Sequence, residues 1–332
     1  MPQSEHICRE IGSAEAYALL RRLRDVHILI HRSPDGDCIG GGYALYHILR
    51  GLGIRSRVCC ADEIPQQYHD LTDGVVFEEF APKCRIAVDV ADRKLFGDLP
   101  GDDKDADILL CIDHHISNTH YADALHWNPD ASAACEVLFQ MVRENGIELT
   151  REIACCLYLG MATDTGCFRF SNAGAETFAA VAEIKRAFPD LPYARINREM
   201  FELKTKGRIT LDARLMQNVQ MSEDGKVALL YLPYAWMTEL HVSNEQLDGA
   251  PNLPMQIIGV EVGIVCKQQE DGSYRISMRG GEHANVSEIA QHFGGGGHIK
   301  ASGCTVSDGD PEAVCKLLLD TAVTLLKAQE QA

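Results

Sequence analysis

Apolar and polar residues change their period several times along the chain. Val26 to Ile30 is a short apolar run rich in β-branched residues, the length of one strand. It breaks at Pro34 and Gly36, and from Gly41 to Leu52 the apolar positions recur with helical spacing. Strand, tight loop and helix open a βαβ unit. Upstream, Ser13 precedes Ala16, Leu19, Leu20 and Leu23 at helical spacing, which predicts a Ser-capped helix. Downstream, Arg57 to Cys60, Arg85 to Val90 and Asp107 to Ile112 read as further strands. Their alternation with helical or loop segments predicts a parallel, doubly wound α/β sheet. Ser132 to Asn145, Thr150 to Asp164 and Thr177 to Phe188 read as helices.

From Pro189 to Lys206 the texture turns to mixed charge with two prolines, as in a linker. Beyond it Val227 to Leu232, Ile257 to Lys267 and Tyr274 to Arg279 read as strands, the last two joined by a hairpin signal at Asp271-Gly272. A short helix over Asn285 to Phe293, the run Gly294 to His298 and an amphipathic helix from Pro311 to Gln329 complete the chain. The expected organisation is a first domain over 1–190, a linker over 191–208 and a smaller α/β domain over 209–332. A length of 332 residues suits two domains.

Composition adds little to this picture but excludes several classes. Apolar residues make up 46% and charged residues 24%, as in soluble globular proteins. No apolar run reaches membrane-spanning length, and the opening MPQSEHICRE does not read as a signal peptide, so a cytoplasmic protein with no membrane partner is expected. The thirteen cysteines are odd in number and form no C-x-x-C pair. Most lie in apolar runs and read as free core thiols. Net charge is −17, which repels a long polyanion. A phosphorylated substrate must then be held locally, by metal ions and a few placed cations.

Candidate metal chemistry gathers where the strands end. His31, Asp35 and Asp37 follow the first strand, Asp89 ends another, Asp113-His114-His115 ends a third, and Asp164 closes an apolar helix. In open α/β sheets ligands bind beyond the carboxyl ends of the strands. Carboxylates with a minority of imidazoles suit Mn²⁺ or Mg²⁺ better than structural zinc. Two such ions activate water and stabilise an in-line displacement at phosphorus. Asp89, alone on its strand end, is the expected bridging carboxylate. In the second domain Arg279 ends a strand, while Gly295, Gly296 and Gly297 let backbone approach a ligand beside His298. A non-catalytic nucleotide binder on the same fold is the competing class, and it has no use for so many ligand positions.

Together His31-x3-Asp35-x-Asp37, Asp89, Asp113-His114-His115 and Asp164 resemble the motifs of the DHH phosphoesterases. Arg279 with Gly294-Gly-Gly-Gly-His298-x2-Ala-Ser-Gly303 resembles the signature of the associated DHHA1 domain, departing from it at Gly280-Gly281 and Ser302. The resemblance covers nearly the whole chain and looks most like the oligoribonuclease/pAp-phosphatase branch. It implies a DHH domain and a DHHA1 domain with a cleft between them, and a site for two Mn²⁺, with Mg²⁺ or Co²⁺ as substitutes. His31, Asp35 and Asp89 would hold one ion, and Asp37, Asp89, His114 and Asp164 the other. Asp113 and His115 would act beside His114 in catalysis, orienting ligands or touching the phosphate. Arg279, Gly295, Gly296, Gly297 and His298 would bind substrate. The implied substrates are short RNA oligonucleotides and pAp, not long nucleic acid. Linear or cyclic dinucleotides are the alternative, then polyphosphate or pyrophosphate, and a homodimer is left open.

Overall fold

The computed structural model describes residues 7–72, 75, 77–99, 106–247 and 249–330. Residues 1–6, part of the stretch read as lacking an export signal, lie outside them. The chain divides into two compact units between Leu203 and Lys204.

In the first unit the elements run β1 (Arg9–Glu10), α1 (Ser13–Leu20), β2 (Val26–Leu29), α2 (Gly36–Gly51), β3 (Ser56–Cys59), α3 (His69–Thr72), β4 (Cys84–Val88), β5 (Leu110–Asp113), β6 (Ala124–Trp127), α4 (Ala134–Glu144), α5 (Arg151–Asp164), α6 (Ala175–Ala187) and α7 (Tyr193–Phe201). The six strands form one sheet in the order β1-β6-β5-β4-β2-β3, every pair parallel. Strand order reverses between β2 and β4, the switch point at which such sheets open a ligand crevice. Successive strand residues alternate between two cores. Ile28, Ile86, Val88, Leu110 and Ile112 pack under the helices. Leu29, Ala87, Cys111 and Leu125 pack with Phe96 and Leu99 on the opposite face. Among the described residues that second face is covered by a 3₁₀ turn, Arg93–Phe96, and loops rather than by long helices.

Two strands escape the periodicity reading: β1 is only two residues long, and β6 is a buried run too short to stand out from its turns. The helix after β2 also begins at Gly36 rather than Gly41. Asp35 supplies the reason, since its Oδ1 accepts the amides of Asp37 and Cys38, both at 3.1 Å, and caps the helix. Glycines inside α2 weaken a helix intrinsically, but close packing requires them. A Cβ at Gly40 would stand 2.5 Å from the Cys156 carbonyl of α5, and one at Gly41 2.6 Å from Val88 Cγ1 of β4. Within 191–208, Tyr193–Phe201 is helical, and its Tyr193 and Ile196 are buried in the first unit's core.

The second unit comprises α8 (Lys206–Gln217), β7 (Gln220–Met221), β8 (Val227–Leu232), α9 (Tyr234–Leu240), β9 (Val262–Gln268), β10 (Tyr274–Gly280), α10 (Val286–His292), β11 (Gly296–His298), β12 (Ala301–Val306) and α11 (Pro311–Gln329). Its mixed sheet runs β11-β12-β10-β9-β8-β7, with β8 and β9 parallel and the other pairs antiparallel. One face packs on α10 and α11. Leu230, Leu232 and Val265 on the other pack on α8 and α9. The Asp271-Gly272 turn joins β9 to β10, with Gly272 at φ 85°. Strand β9 starts at Val262 and not at Ile257, because Pro254–Gln256 form a 3₁₀ turn and Gly259 sits at φ 91°. All thirteen cysteines are free thiols. Among the described residues no helix is long and apolar enough to cross a membrane.

Candidate metal centre

The parallel strands carry their carboxyl ends to one edge, and the polar residues that follow β2, β4 and β5 meet there. His31 lies just past β2; its Nδ1 is 2.8 Å from the Arg32 carbonyl oxygen, which leaves Nε2 facing inward. That nitrogen is 3.7 Å from Asp35 Oδ1 and 3.7 Å from Asp89 Oδ2. His114 is set the same way: Nδ1 lies 3.2 Å from the Ala131 carbonyl oxygen. Its Nε2 stands 3.3 Å from Asp164 Oδ2, 3.6 Å from Asp89 Oδ1 and 3.9 Å from Asp37 Oδ2. Asp89 therefore turns one oxygen to the His31–Asp35 side and the other to the His114–Asp164 side.

Apart from the 3.3 Å to Asp164, these separations are longer than ordinary hydrogen bonds. They approach the spacing of neighbouring donors around a cation bound at about 2.1 Å, which is about 3 Å. Asp89 Oδ1 is buried without a hydrogen-bond partner, and its backbone is held at φ 59°, an uncommon region that Asp tolerates better than most residues. An orphaned buried carboxylate oxygen facing two imidazoles fits a cation ligand. Among the described residues, donor atoms of three groups converge closely enough for metal binding: His31, Asp35, Cys38 and Asp89; Asp89, His114 and His115; and Asp37, His114 and Asp164.

The acids also crowd one another. Burial, then the charge of Asp89, pushes the Asp37 carboxyl up to about 7. Burial, then Asp37 and Asp89, pushes Asp164 up to about 10. Asp113 behaves oppositely. Burial works against its charge, but the hydrogen bond and charge of His115, with the hydrogen bonds from Asn118 and the His115 amide, together outweigh it and hold Asp113 below the ordinary carboxylate range. Burial likewise opposes a charge on His115, while the Asp113 bond and the Asp89 charge raise its imidazole to about 9.

Asp37 has a second task. Its Oδ2 accepts the amide of Ala134 at 2.6 Å and its Oδ1 that of Cys135 at 3.0 Å, so the carboxylate sits on the first amides of α4. Gly160 of α5 makes room for it, since a Cβ there would fall on Cys135 Sγ and 2.6 Å from Asp37 Oδ1. Asp113 is wholly buried; its Oδ1 accepts His115 Nδ1 at 2.8 Å and the His114 amide at 2.8 Å. Its Oδ2 accepts Asn118 Nδ2 at 2.6 Å.

Asn118 and Cys38 stand at the site without a sequence motif that marks them. Asn118 lies five residues past Asp113 with no motif spacing of its own, and Cys38 read as core; its position one turn into a capped helix is the signal that was available. Trp127 on β6 also donates its indole N–H to the His115 carbonyl at 2.9 Å.

In the second unit, Arg279 on β10 lies directly opposite Ala301 on β12, and Ala301 lies directly opposite His298 on β11. The three form one row across the sheet, on one face, with the smallest side chain in the middle. Arg279 Nε donates to Asn252 Oδ1 at 3.1 Å, and His298 is exposed. The glycine run is not an open loop. A Cβ on Gly295 would strike the Gly303 carbonyl, and one on Gly297, at φ 142°, would stand 2.7 Å from Ser302 Cα. Those two glycines let β11 lie close to β12, a structural demand beside any ligand contact.

Residues 25–161 match the DHH family, N-terminal domain, and residues 224–328 match the DHHA1 domain. Over 283 residues the chain is 27% identical to a probable bifunctional oligoribonuclease and PAP phosphatase NrnA of Streptococcus mutans, spanning 83% of this chain and 88% of that one. It is 26% identical over 305 residues to the bifunctional oligoribonuclease and PAP phosphatase NrnA of Thermus thermophilus, spanning 89% and 88%. The crystal structure of an exopolyphosphatase-related protein from Bacteroides fragilis shares the fold, with a TM-score of 0.83 at 22% identity over 95% of this chain and 97% of that one.

Proposed function

Because the chain belongs to the DHH–DHHA1 family of phosphoesterases, we propose that it hydrolyses short oligoribonucleotides and pAp with two Mn²⁺ ions. The observation that carries this reading is the Asp89 carboxylate, whose two oxygens face two separate groups of donors. His31, Asp35 and Asp89 would hold one ion, and Asp37, Asp89, His114 and Asp164 the other. Once bound, the ions supply Lewis-acid activation of water and of the phosphoryl group. The rest falls to the protein. Asp113 fixes His115 through Nδ1, leaving Nε2 for the substrate. When protonated, Nε2 donates a hydrogen bond to a phosphate oxygen or a proton to the leaving oxygen.

Hydrolysis at the metal centre suits any phosphoester, so selectivity must come from contacts to the rest of the substrate. Arg279 and His298, with Gly295, Gly296 and Gly297 beside them, would hold the far phosphate or terminal nucleoside. A net charge of −17 disfavours a long polyanion but not two to five nucleotides. pAp carries a phosphate on each side of one nucleoside, one to be hydrolysed and one to be recognised. The test is a panel of pAp, di- to pentaribonucleotides, linear and cyclic dinucleotides, pyrophosphate, polyphosphate and long RNA, each with Mn²⁺. Turnover of pAp and of the short RNAs above all others supports the reading. Preference for pyrophosphate or polyphosphate overturns it, and preference for dinucleotides replaces the substrate assignment.

A further inference from the structure

The face of the second sheet that carries Arg279 holds more positive charge than the proposed terminal contacts use. Tyr274, Ile276 and Met278 of β10 point into the α10–α11 core, so Arg275, Ser277 and Arg279 point to the opposite face. Arg275 lies directly opposite Lys267 on β9 and directly opposite Thr305 on β12. Two cations and a hydroxyl thus form a second row parallel to the row of Arg279, Ala301 and His298. The row between them runs from Val265, which is buried under α8 and α9, through Ser277 to Gly303 and Gly296, so the floor is low on the β12 side.

Like charges placed directly opposite in a sheet are destabilising. Here nothing offsets the pair: among the described residues neither Lys267 nor Arg275 forms an ion pair, although the chain has 48 acidic residues against 31 basic ones. Lys267 Nζ donates only to the neutral Asn244 Oδ1, at 2.8 Å. Burial, then the Arg275 charge, pushes the Lys267 amine below its ordinary value, as expected for a cation lacking a counter-charge. Arg275 and Thr305 are exposed. Paired guanidinium and ammonium donors beside a hydroxyl match the oxygens of a phosphodiester.

We propose that Lys267, Arg275 and Thr305 form an anion subsite for a backbone phosphate of an oligonucleotide, distinct from the phosphate or nucleoside at Arg279. Four residues along β10 separate the two rows by about 13 Å. A mononucleotide anchored at Arg279 leaves the second row empty, whereas an oligonucleotide reaches it. The site would therefore favour oligomers over pAp and set a preferred length. This rests on the function proposed above.

The experiment compares the Lys267→Ala/Arg275→Ala double variant with the wild type, in the full chain with Mn²⁺. The ratio of KM for 5′-phosphorylated pentaribonucleotide to KM for pAp is expected to rise about tenfold, and Arg275→Lys to recover most of it. An unchanged ratio overturns the subsite. A second arm needs no catalysis: binding of a fluorescent, 5′-phosphorylated pentaribonucleotide in EDTA, followed by anisotropy over a salt series. Loss of both cations should weaken binding about tenfold and flatten the slope of log K against log salt by about 1.4. Equal binding and slope in both proteins also overturn it. If the wild type turns over neither substrate, the proposed function fails, and the anisotropy arm still decides the subsite.

Discussion

The carboxylate of Asp37 accepts the amide of Ala134 at 2.6 Å, tying the start of α2 to the start of α4 across a sequence separation of 97. Asp37 is thus both a candidate ligand and a helix cap, and its loss should cost the fold as well as the chemistry. Asp37→Ala leaves two buried amides unpaired. It is expected to lose about 2–4 kcal/mol of stability in denaturant unfolding with EDTA, together with turnover. Asp164→Asn should lose turnover while its metal-free stability holds or rises, because an amide sits uncharged in that crowded group without the proton that burial forces onto the Asp164 carboxyl. Equal destabilisation by the two would contradict this division of roles.

Asp89 is expected to bridge. Asp89→Asn keeps the shape of the side chain but weakens it as a ligand to both sides. Calorimetric titration of the variant with Mn²⁺ should show one ion bound or none where the wild type binds two, and kcat should fall at least about a hundredfold. Two ions bound with near-normal turnover would remove Asp89 from the bridging position.

Metal-free stability should fall as pH rises. The folded chain holds the Asp37 and Asp164 protons up to about 7 and about 10, against 3.8 for an ordinary Asp. It holds the His115 proton to about 9, against 6.5. All three are raised, so their contribution is complete below the unfolded values and is lost as pH climbs through the folded ones. In EDTA the Tm should drop by about 5 °C or more between about pH 5.5 and about pH 8.5. Mn²⁺ should shrink that drop, because cations then replace the protons. A Tm that rises with pH in EDTA would refute the electrostatic account of the site.

Asn118 is expected to act through Asp113. Asn118→Ala leaves Asp113 Oδ2 buried without its 2.6 Å donor. The expected loss is about 1–3 kcal/mol of stability and about ten- to a hundredfold in kcat, with the pH profile shifted because His115 loses its anchor. A variant with reduced stability but an unmoved pH profile would leave Asn118 a purely structural residue.

Arg279→Ala should raise KM for pAp and short RNA by about tenfold or more, with much less effect on a small artificial phosphodiester that has nothing to place beside His298. The steady-state constants for both substrates decide it. Equal effects on the two would take Arg279 out of substrate binding.

Much of this protein is set by local pattern. Val26 to Ile30, Arg85 to Val90 and Asp107 to Ile112 announce their strands through short apolar runs, and polar residues at the ends of such runs mark candidate ligands without any structure. His31, Asp35, Asp37, Asp89, His114 and Asp164 are legible for that reason. So are the two-domain order and the Asp271-Gly272 hairpin. Tertiary structure decided what depends on partners distant in sequence. Strands β1 and β6 exist because neighbouring strands supply their hydrogen bonds, and their own residues carry too few positions for a period to show. Helix α2 tolerates its glycines because α5 and β4 press against them. The paired duty of Asp37, the support of Asp113 by Asn118, and the row of Arg279, Ala301 and His298 all join residues from separate elements. A one-dimensional pattern records the facing of a side chain along its own strand or helix; which groups stand opposite it is fixed only when the sheet takes its register and the helices close on it.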